Sequence, residues 1–259
     1  MNRSEESTEA VQDVAPYSAL ASMYDMVMEY IDYESWVGYL RKLCDHSGIA
    51  PKDMLDISCG TGNTIPWMKS WTERLYCTDV SLPMVTELVR KMPAMRPFTW
   101  VSEMSALPVN RQFSLILNLQ DSVNYYLDSS RILRHFLHVY EYLTPGGAYI
   151  FDFSTEDNIR RNFFDMHEVY EGDQFGYERV NRYNPRNRLN TTEFLIWKMQ
   201  HGQKKYFREV HKQRMYSPSE FQQMLSESPF DEWHWYEDET LKQPGKDAER
   251  IHVVARKRV

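Results

Sequence analysis

The residues best suited to chemistry form one continuous run, Asp56-Ile57-Ser58-Cys59-Gly60-Thr61-Gly62-Asn63, where a short apolar segment meets the start of a helix. Two glycines separated by one residue permit a tight turn and let backbone N–H groups approach a ligand closely. Asp79 follows 17 residues after Gly62. A carboxylate there, at the end of the next strand, can accept both hydroxyls of a ribose. Glycine turn and strand-end acid together indicate a nucleoside cofactor. A dinucleotide needs a third glycine three residues after the second, and Ile65 fills that slot. Asp56 would also oppose an anionic pyrophosphate, whereas it suits a ligand that carries a sulfonium and an ammonium.

The elements around this run alternate between strand and helix. Met54 to Ser58 reads as a first strand, Thr64 to Ser70 as a helix, and Arg74 to Thr78 as a second strand. Ser81 caps a helix with proline at its second residue, and Pro93 stops it. Phe98 to Val101 and Phe113 to Asn118 are the third and fourth strands. A long amphipathic helix opens at Ser129 or Ser130 and runs through Leu143 to the breaker Pro145-Gly146-Gly147, before a fifth strand, Ala148 to Phe153. Upstream, Tyr17 to Leu43 carries two helices with a break near Asp32. Such alternation predicts an α/β fold with a mainly parallel sheet. From Glu168 to Tyr216 the pattern changes to an aromatic antiparallel meander of about three strands, with turns at Asn184-Pro185 and His201-Gly202. Ser217-Pro218-Ser219-Glu220 is a capping box for a further helix, and Trp233 to Glu237 and Ile251 to Lys257 are the last two strands.

The run Asp56 to Asn63 resembles motif I of class I S-adenosylmethionine-dependent methyltransferases, D-x-G-C-G-T-G, with Ser58 where glycine is common. The resemblance continues through Cys77-Thr78-Asp79-Val80-Ser81 with Met84, Glu103-Met104 with Leu107-Pro108, and Leu143-Thr144-Pro145-Gly146-Gly147. Tyr24-Asp25 and the Tyr33–Trp36 pair are similar to a bacterial small-molecule branch, and Arg250 to Lys257 to the fold's last, antiparallel strand. The family implies a Rossmann-like, seven-stranded, mostly parallel sheet built from 16–165 and 217–259, interrupted after the fifth strand by an antiparallel insertion, 166–216, that covers the acceptor. It also implies S-adenosylmethionine as cofactor. The turn Ser58, Cys59, Gly60, Gly62, Asn63 and Thr64 would hold the methionine part and Asp56 its amino group. Asp79 would take the ribose, Val80 and Met84 would flank the adenine, and Glu103 and Met104 would read its edge. Asn118 and Gln120 fall where the methyl emerges, and Tyr17, Tyr24 and Trp36 would cap the cofactor.

Methyl transfer from a sulfonium depends mainly on placing a nucleophile, so a general base is optional. His211 and Asp121 are the two candidates for that role; the meander also offers Tyr177, Arg179, Tyr183, Glu193, Trp197, Tyr206 and Arg208 as acceptor contacts. Asn118-Leu119-Gln120-Asp121 lacks the Asn/Asp-Pro-Pro-Tyr/Phe pattern of enzymes that methylate nucleic-acid bases. A net charge of −7 and a pI near 5.7 give no attraction for a polyanion. The chain has 259 residues, 42% of them hydrophobic, enough for one domain with an insertion. No apolar run of membrane-spanning length occurs. Cys44, Cys59 and Cys77, without a CxxC, suit a reducing cytoplasm rather than a disulfide framework or metal site. Residues 1–15 read as a disordered tail. These features together lead us to expect an enzyme that transfers a methyl group from S-adenosylmethionine to an N or O atom of a small-molecule acceptor. A non-catalytic S-adenosylmethionine-binding protein, or an enzyme acting on RNA or protein, is the alternative.

Overall fold

The computed structural model describes residues 10–258. In chain order the elements are β1 (Val11–Val14), α1 (Tyr24–Val27), α2 (Tyr33–His46), β2 (Asp53–Asp56), α3 (Ile65–Met68), β3 (Arg74–Asp79), α4 (Leu82–Lys91), β4 (Thr99–Val101), β5 (Phe113–Asn118), α5 (Ser129–Tyr142) and β6 (Leu143–Ser154). There follow α6 (Glu156–Asn158), β7 (His167–Glu171), β8 (Phe175–Asn184), β9 (Leu189–Gln200), β10 (Gln203–Arg214), α7 (Pro218–Ser226), β11 (Glu232–Glu237) and β12 (Arg250–Arg256).

Seven strands form the main sheet in the order β11-β12-β6-β5-β2-β3-β4, with only β12 running against its neighbours. Phe113, Leu115, Ile116 and Leu117 of the central β5 are all fully buried, as a strand covered on both faces requires. The chain leaves β2 toward β3 and β4, then returns to place β5 on the other side of β2. That reversal opens a crevice at the carboxyl ends of β2 and β5, where open α/β sheets bind ligands. One face packs Phe136, Phe151, Phe153 and Phe221 together, and the other packs Leu40, Leu43, Met54 and Ile150.

Local chemistry fixes most element ends. Ser81 accepts from the Met84 amide, Ser217 and Glu220 complete the capping box, and Asp32 caps α2 by accepting from Ser35. α5 begins at Ser129, as expected, with Asp128 as its cap, accepting from the Ser130 amide at 2.8 Å. The fifth sheet strand begins at Leu143 rather than Ala148, because Leu143 pairs with Phe113 ahead of a bulge between Phe113 and Leu115.

A second sheet has the order β1-β10-β9-β8-β7. The insertion thus carries four strands rather than three, since β7 adds an edge beyond the Gly172–Gln174 turn. The His201-Gly202 turn has both residues at positive φ, the form that matches strand twist in a two-residue hairpin. The expected disordered tail is corrected for Val11–Val14, which pair in parallel with Tyr206 to Glu209 of β10. Residues 1–9 lie outside the described residues. Among the described residues, no helix is long and apolar enough to cross a membrane.

Candidate active site

The glycine turn sits at the crevice and opens into a cavity of about 470 Å³. Gly60 (φ +52°) lines it and has open space where a side chain would project. Gly62 has a different job. At φ +81° a Cβ there would lie 2.8 Å from Met92 and 2.9 Å from both Ile65 and Leu88, so this glycine lets α4 close against the turn rather than admitting a ligand. Ser58 spans the switch point: its hydroxyl accepts from the Leu119 amide at 3.1 Å and lies 3.2 Å from Asn118 Oδ1. Serine in this position therefore ties the ends of β2 and β5 together.

Two carboxylates face the same cavity. Asp79 accepts from the Gly60 amide at 2.9 Å through one oxygen and from the Ser81 amide at 2.9 Å through the other. Each oxygen keeps a lone pair for an incoming hydroxyl. Burial raises its pKa despite those amides. Asp56, 2% exposed, accepts from the Ser58 amide at 3.1 Å. Burial pushes its pKa up to about 7; the Ser58 amide opposes this, and the Asp79 charge adds to it.

Tyr17, Tyr24, Asp56, Ser58, Cys59, Gly60, Asn63, Thr64, Asp79, Val80, Met84, Met104 and Gln120 all line this cavity. Four expected contacts do not. Gly62 packs against α4 as described. Glu103 is exposed and is not part of the lining. Asn118 is fully buried one layer behind Ser58, its amide held near Met104 Sδ and His135. Trp36 turns from the turn toward the ring of His252 and lines a second cavity instead.

That second cavity, of about 570 Å³, lies between the main sheet and the insertion. Tyr17, Tyr24, Gln120 and Tyr125 line both cavities and form the wall between them. Three residues at or beside this wall, Tyr17, Gln120 and Asp121, hold φ values of 63°, 58° and 48°. Side chains other than glycine adopt this region at a cost of order 1 kcal/mol or more, and such strain concentrates where function fixes the geometry. Asp121 is locked by Arg250 at 2.7 Å and Gln213 at 2.6 Å, although burial still raises its pKa, followed by the lowering charge of Arg250. His211 is held on both ring nitrogens, by Tyr125 and Glu209. Of the meander residues singled out from sequence, Arg179 and His211 reach this cavity; Tyr177, Tyr183, Glu193, Trp197, Tyr206 and Arg208 do not.

Sequence reasoning missed several wall and lining residues. Tyr125 sits in a single turn of 3₁₀ helix with no motif around it. Thr61 donates to Asp25, which also pairs with Lys91 at 2.5 Å, so the Tyr24-Asp25 dipeptide is anchored to the glycine turn and aims Tyr24 inward. Ala15, Pro16 and Ser18 complete the rim.

Residues 54–147 match the family model of the methyltransferase domain. The Bacillus subtilis protein YqeM, which carries a provisional methyltransferase name, is 22% identical over 93% of this chain and 97% of its own. A solved S-adenosylmethionine-dependent methyltransferase from Clostridium acetobutylicum superposes with a TM-score of 0.79 at 24% identity, over 94% of this chain and 99% of that one. The sugar N-methyltransferase KedS8 from Streptoalloteichus superposes at 0.72 and 18% identity, covering 100% of this chain and 98% of its own. Residues 54–147 thus carry a methyltransferase domain, and over nearly its whole length the chain is similar to S-adenosylmethionine-dependent methyltransferases.

Proposed function

We propose that this enzyme methylates a nitrogen of a small amine that also carries hydroxyl groups, with a hydroxyl oxygen as the less favoured acceptor atom. The observation that carries the reading is the lining of the second cavity. Asp32, Asp121, Asp238, Glu239 and Glu249 face it against two cations, Arg179 and Arg250. Such a surplus of carboxylates attracts an ammonium and repels a polyanion. Asn158, Asn162, Asn181, Asn190 and Thr192 supply the neutral donors and acceptors that hydroxyl groups need. At about 570 Å³ the space suits a small molecule. Similarity over the whole chain to a protein named as a sugar N-methyltransferase supports the same class.

In this reading the smaller cavity holds the cofactor: Asp79 takes the ribose hydroxyls, Asp56 the ammonium, the Gly60 turn the methionine chain, and Val80, Met84 and Met104 the adenine. When bound, S-adenosylmethionine supplies a methyl group made electrophilic by its sulfonium. The protein's part is to place the acceptor nitrogen across the Tyr17–Tyr125 wall, exclude water and hold the lone pair in line. The insertion, residues 166–216, is the lid that selects the acceptor. Radiolabelled methyl transfer to a pool of soluble primary and secondary amines tests this. Label in one or more amines is expected. Label appearing only in added RNA or protein would sink the small-molecule reading.

A further inference from the structure

Glu209 and His211 lie two residues apart on one face of β10, at 0% and 5% exposure. His211 Nε2 is 3.1 Å from Glu209 Oε2, and Nδ1 is 2.9 Å from the Tyr125 hydroxyl. The Tyr125 hydroxyl is in turn 2.7 Å from that of Tyr17. An unbroken hydrogen-bonded line thus runs from a buried carboxylate, through an imidazole and two phenols, to the wall shared by both cavities. We propose that Tyr17, Tyr125, His211 and Glu209 form a proton relay that takes a proton from the acceptor nitrogen. The relay rests on the amine reading above and gives it a mechanism.

The directions of the hydrogen bonds follow from the charges. Burial pushes the Glu209 carboxyl up, but hydrogen bonds from His211 and from the Leu20 and Ala19 amides outweigh it and hold the group below the usual range. An ionised Glu209 can only accept, so a neutral His211 carries its proton on Nε2. Nδ1 is then free to accept from Tyr125, whose oxygen accepts from Tyr17. Burial holds both phenols above their ordinary pKa, so they hand protons on rather than ionise. In the step, the acceptor ammonium N–H bond breaks and its proton bonds to Tyr17 Oη. The Tyr17 proton passes to Tyr125 Oη, and the Tyr125 proton to His211 Nδ1. The acceptor loses one positive charge and gains a lone pair. His211 gains that charge beside Glu209 and returns the proton to solvent after product leaves.

The other charged groups near this line are Asp121, already paired with Arg250, Asp79 on the cofactor side, and Lys198 of β9, whose charge acts on Glu209; the Tyr24 phenol neighbours both tyrosines, and the ring of Phe194 packs against His211 from β9. Glu209 is a positioning residue with a second duty. It accepts from the amides of Tyr17 (2.7 Å), Ala19 (2.5 Å) and Leu20 (2.9 Å) and so builds the segment that carries Tyr17. Its removal would confound the two roles. Tyr125→Phe deletes one hydroxyl from the line and leaves those amides alone.

Two measurements decide the matter. With an amine found in the pooled assay, Tyr125→Phe should lower kcat about 100-fold near neutral pH, within the range of general acid–base catalysis. Its log kcat should then climb with pH about tenfold per unit, as solvent takes over deprotonation, while the wild type stays nearly level. Affinity for S-adenosylhomocysteine should change by no more than about threefold. Profiles that superimpose would overturn the relay and leave the amine reading standing. If no pooled amine is methylated, the amine reading fails, and the second measurement still tests the line of protons. Long-range nitrogen NMR of histidine-labelled protein with S-adenosylhomocysteine reports the His211 ring. The neutral Nε2–H form near pH 7.5 supports the relay; an Nδ1–H form or an imidazolium there refutes it.

Discussion

Asp56 offers a direct test of how the cofactor is held, because its carboxyl is poised near neutrality. Burial sets its pKa at about 7, against an ordinary 3.8. A carboxyl with a raised folded-state pKa favours folding below the ordinary carboxylate range, and that contribution is lost as pH climbs through about 7. The gap between the two values is worth roughly 4 kcal/mol once the group is fully ionised. The cofactor-free protein should therefore lose stability between about pH 4 and pH 7. Asp56→Asn keeps the oxygen that accepts from Ser58 and removes the titration. It should raise the melting temperature near pH 8 by about 8–16 °C, taking roughly 2–4 °C per kcal/mol for a domain of this size. Binding runs the other way. If the ionised carboxylate receives the cofactor ammonium, affinity for S-adenosylhomocysteine should fall about tenfold from pH 8 to pH 6 in the wild type, following the ionised fraction. In Asp56→Asn it should be weaker and nearly flat over that range. Calorimetry in two buffers of different ionisation enthalpy should also detect proton release on binding near pH 7. Wild-type and variant affinities with the same pH dependence would refute the assignment of Asp56 to the ammonium.

Three further outcomes follow from the geometry. Asp79→Ala should weaken S-adenosylhomocysteine by about ten- to a hundredfold, since hydrogen bonds to a charged acceptor contribute roughly 1.5–3 kcal/mol; circular dichroism should show the fold intact, and an unchanged dissociation constant in calorimetry would remove Asp79 from the site. Gly62→Ala should cost about 2–4 kcal/mol in thermal or urea unfolding, because a Cβ at φ +81° meets Met92, Ile65 and Leu88 within 2.9 Å. Glu209→Ala leaves the amides of Tyr17, Ala19 and Leu20 without their acceptor, so it should both destabilise by roughly 2–3 kcal/mol and speed release of S-adenosylhomocysteine in stopped flow.

What the sequence disclosed, and what it hid, divides along the range of the interactions. Asp56 to Asn63, Asp79, the Ser81 cap and the Ser217 capping box are local patterns, so their spacing alone placed them correctly in the fold. Glu103 and Trp36 were expected at the cofactor because of their positions in motifs, but a motif does not say where a side chain turns. Glu103 faces solvent, while Trp36 finds a buried partner in His252, more than two hundred positions away in the chain. Asn118 sits at the expected strand end, yet burial beneath Ser58 takes it out of the lining. The segment Val11-Gln12-Asp13-Val14 has three polar or exposed positions and reads as tail, because its partner Tyr206 to Glu209 supplies the whole reason for its strand.

The same long-range pairing changes the division of labour between the insertion and the main sheet. From sequence, the meander is a lid concerned with the acceptor alone. In the structure its strand β10 pairs with β1 and, through Glu209, holds residues 17–20. Ala15, Pro16, Tyr17 and Ser18 belong to the lining of the glycine-turn cavity. The insertion is therefore tied to the rim of the smaller cavity by one carboxylate and one edge strand. Replacing residues 166–216 by a short linker would remove one side of the larger cavity and also release the cover of the smaller one, so affinity for S-adenosylhomocysteine should fall with it. Tyr17 stands on the wall shared by both cavities, at a strained φ that Glu209 helps to impose.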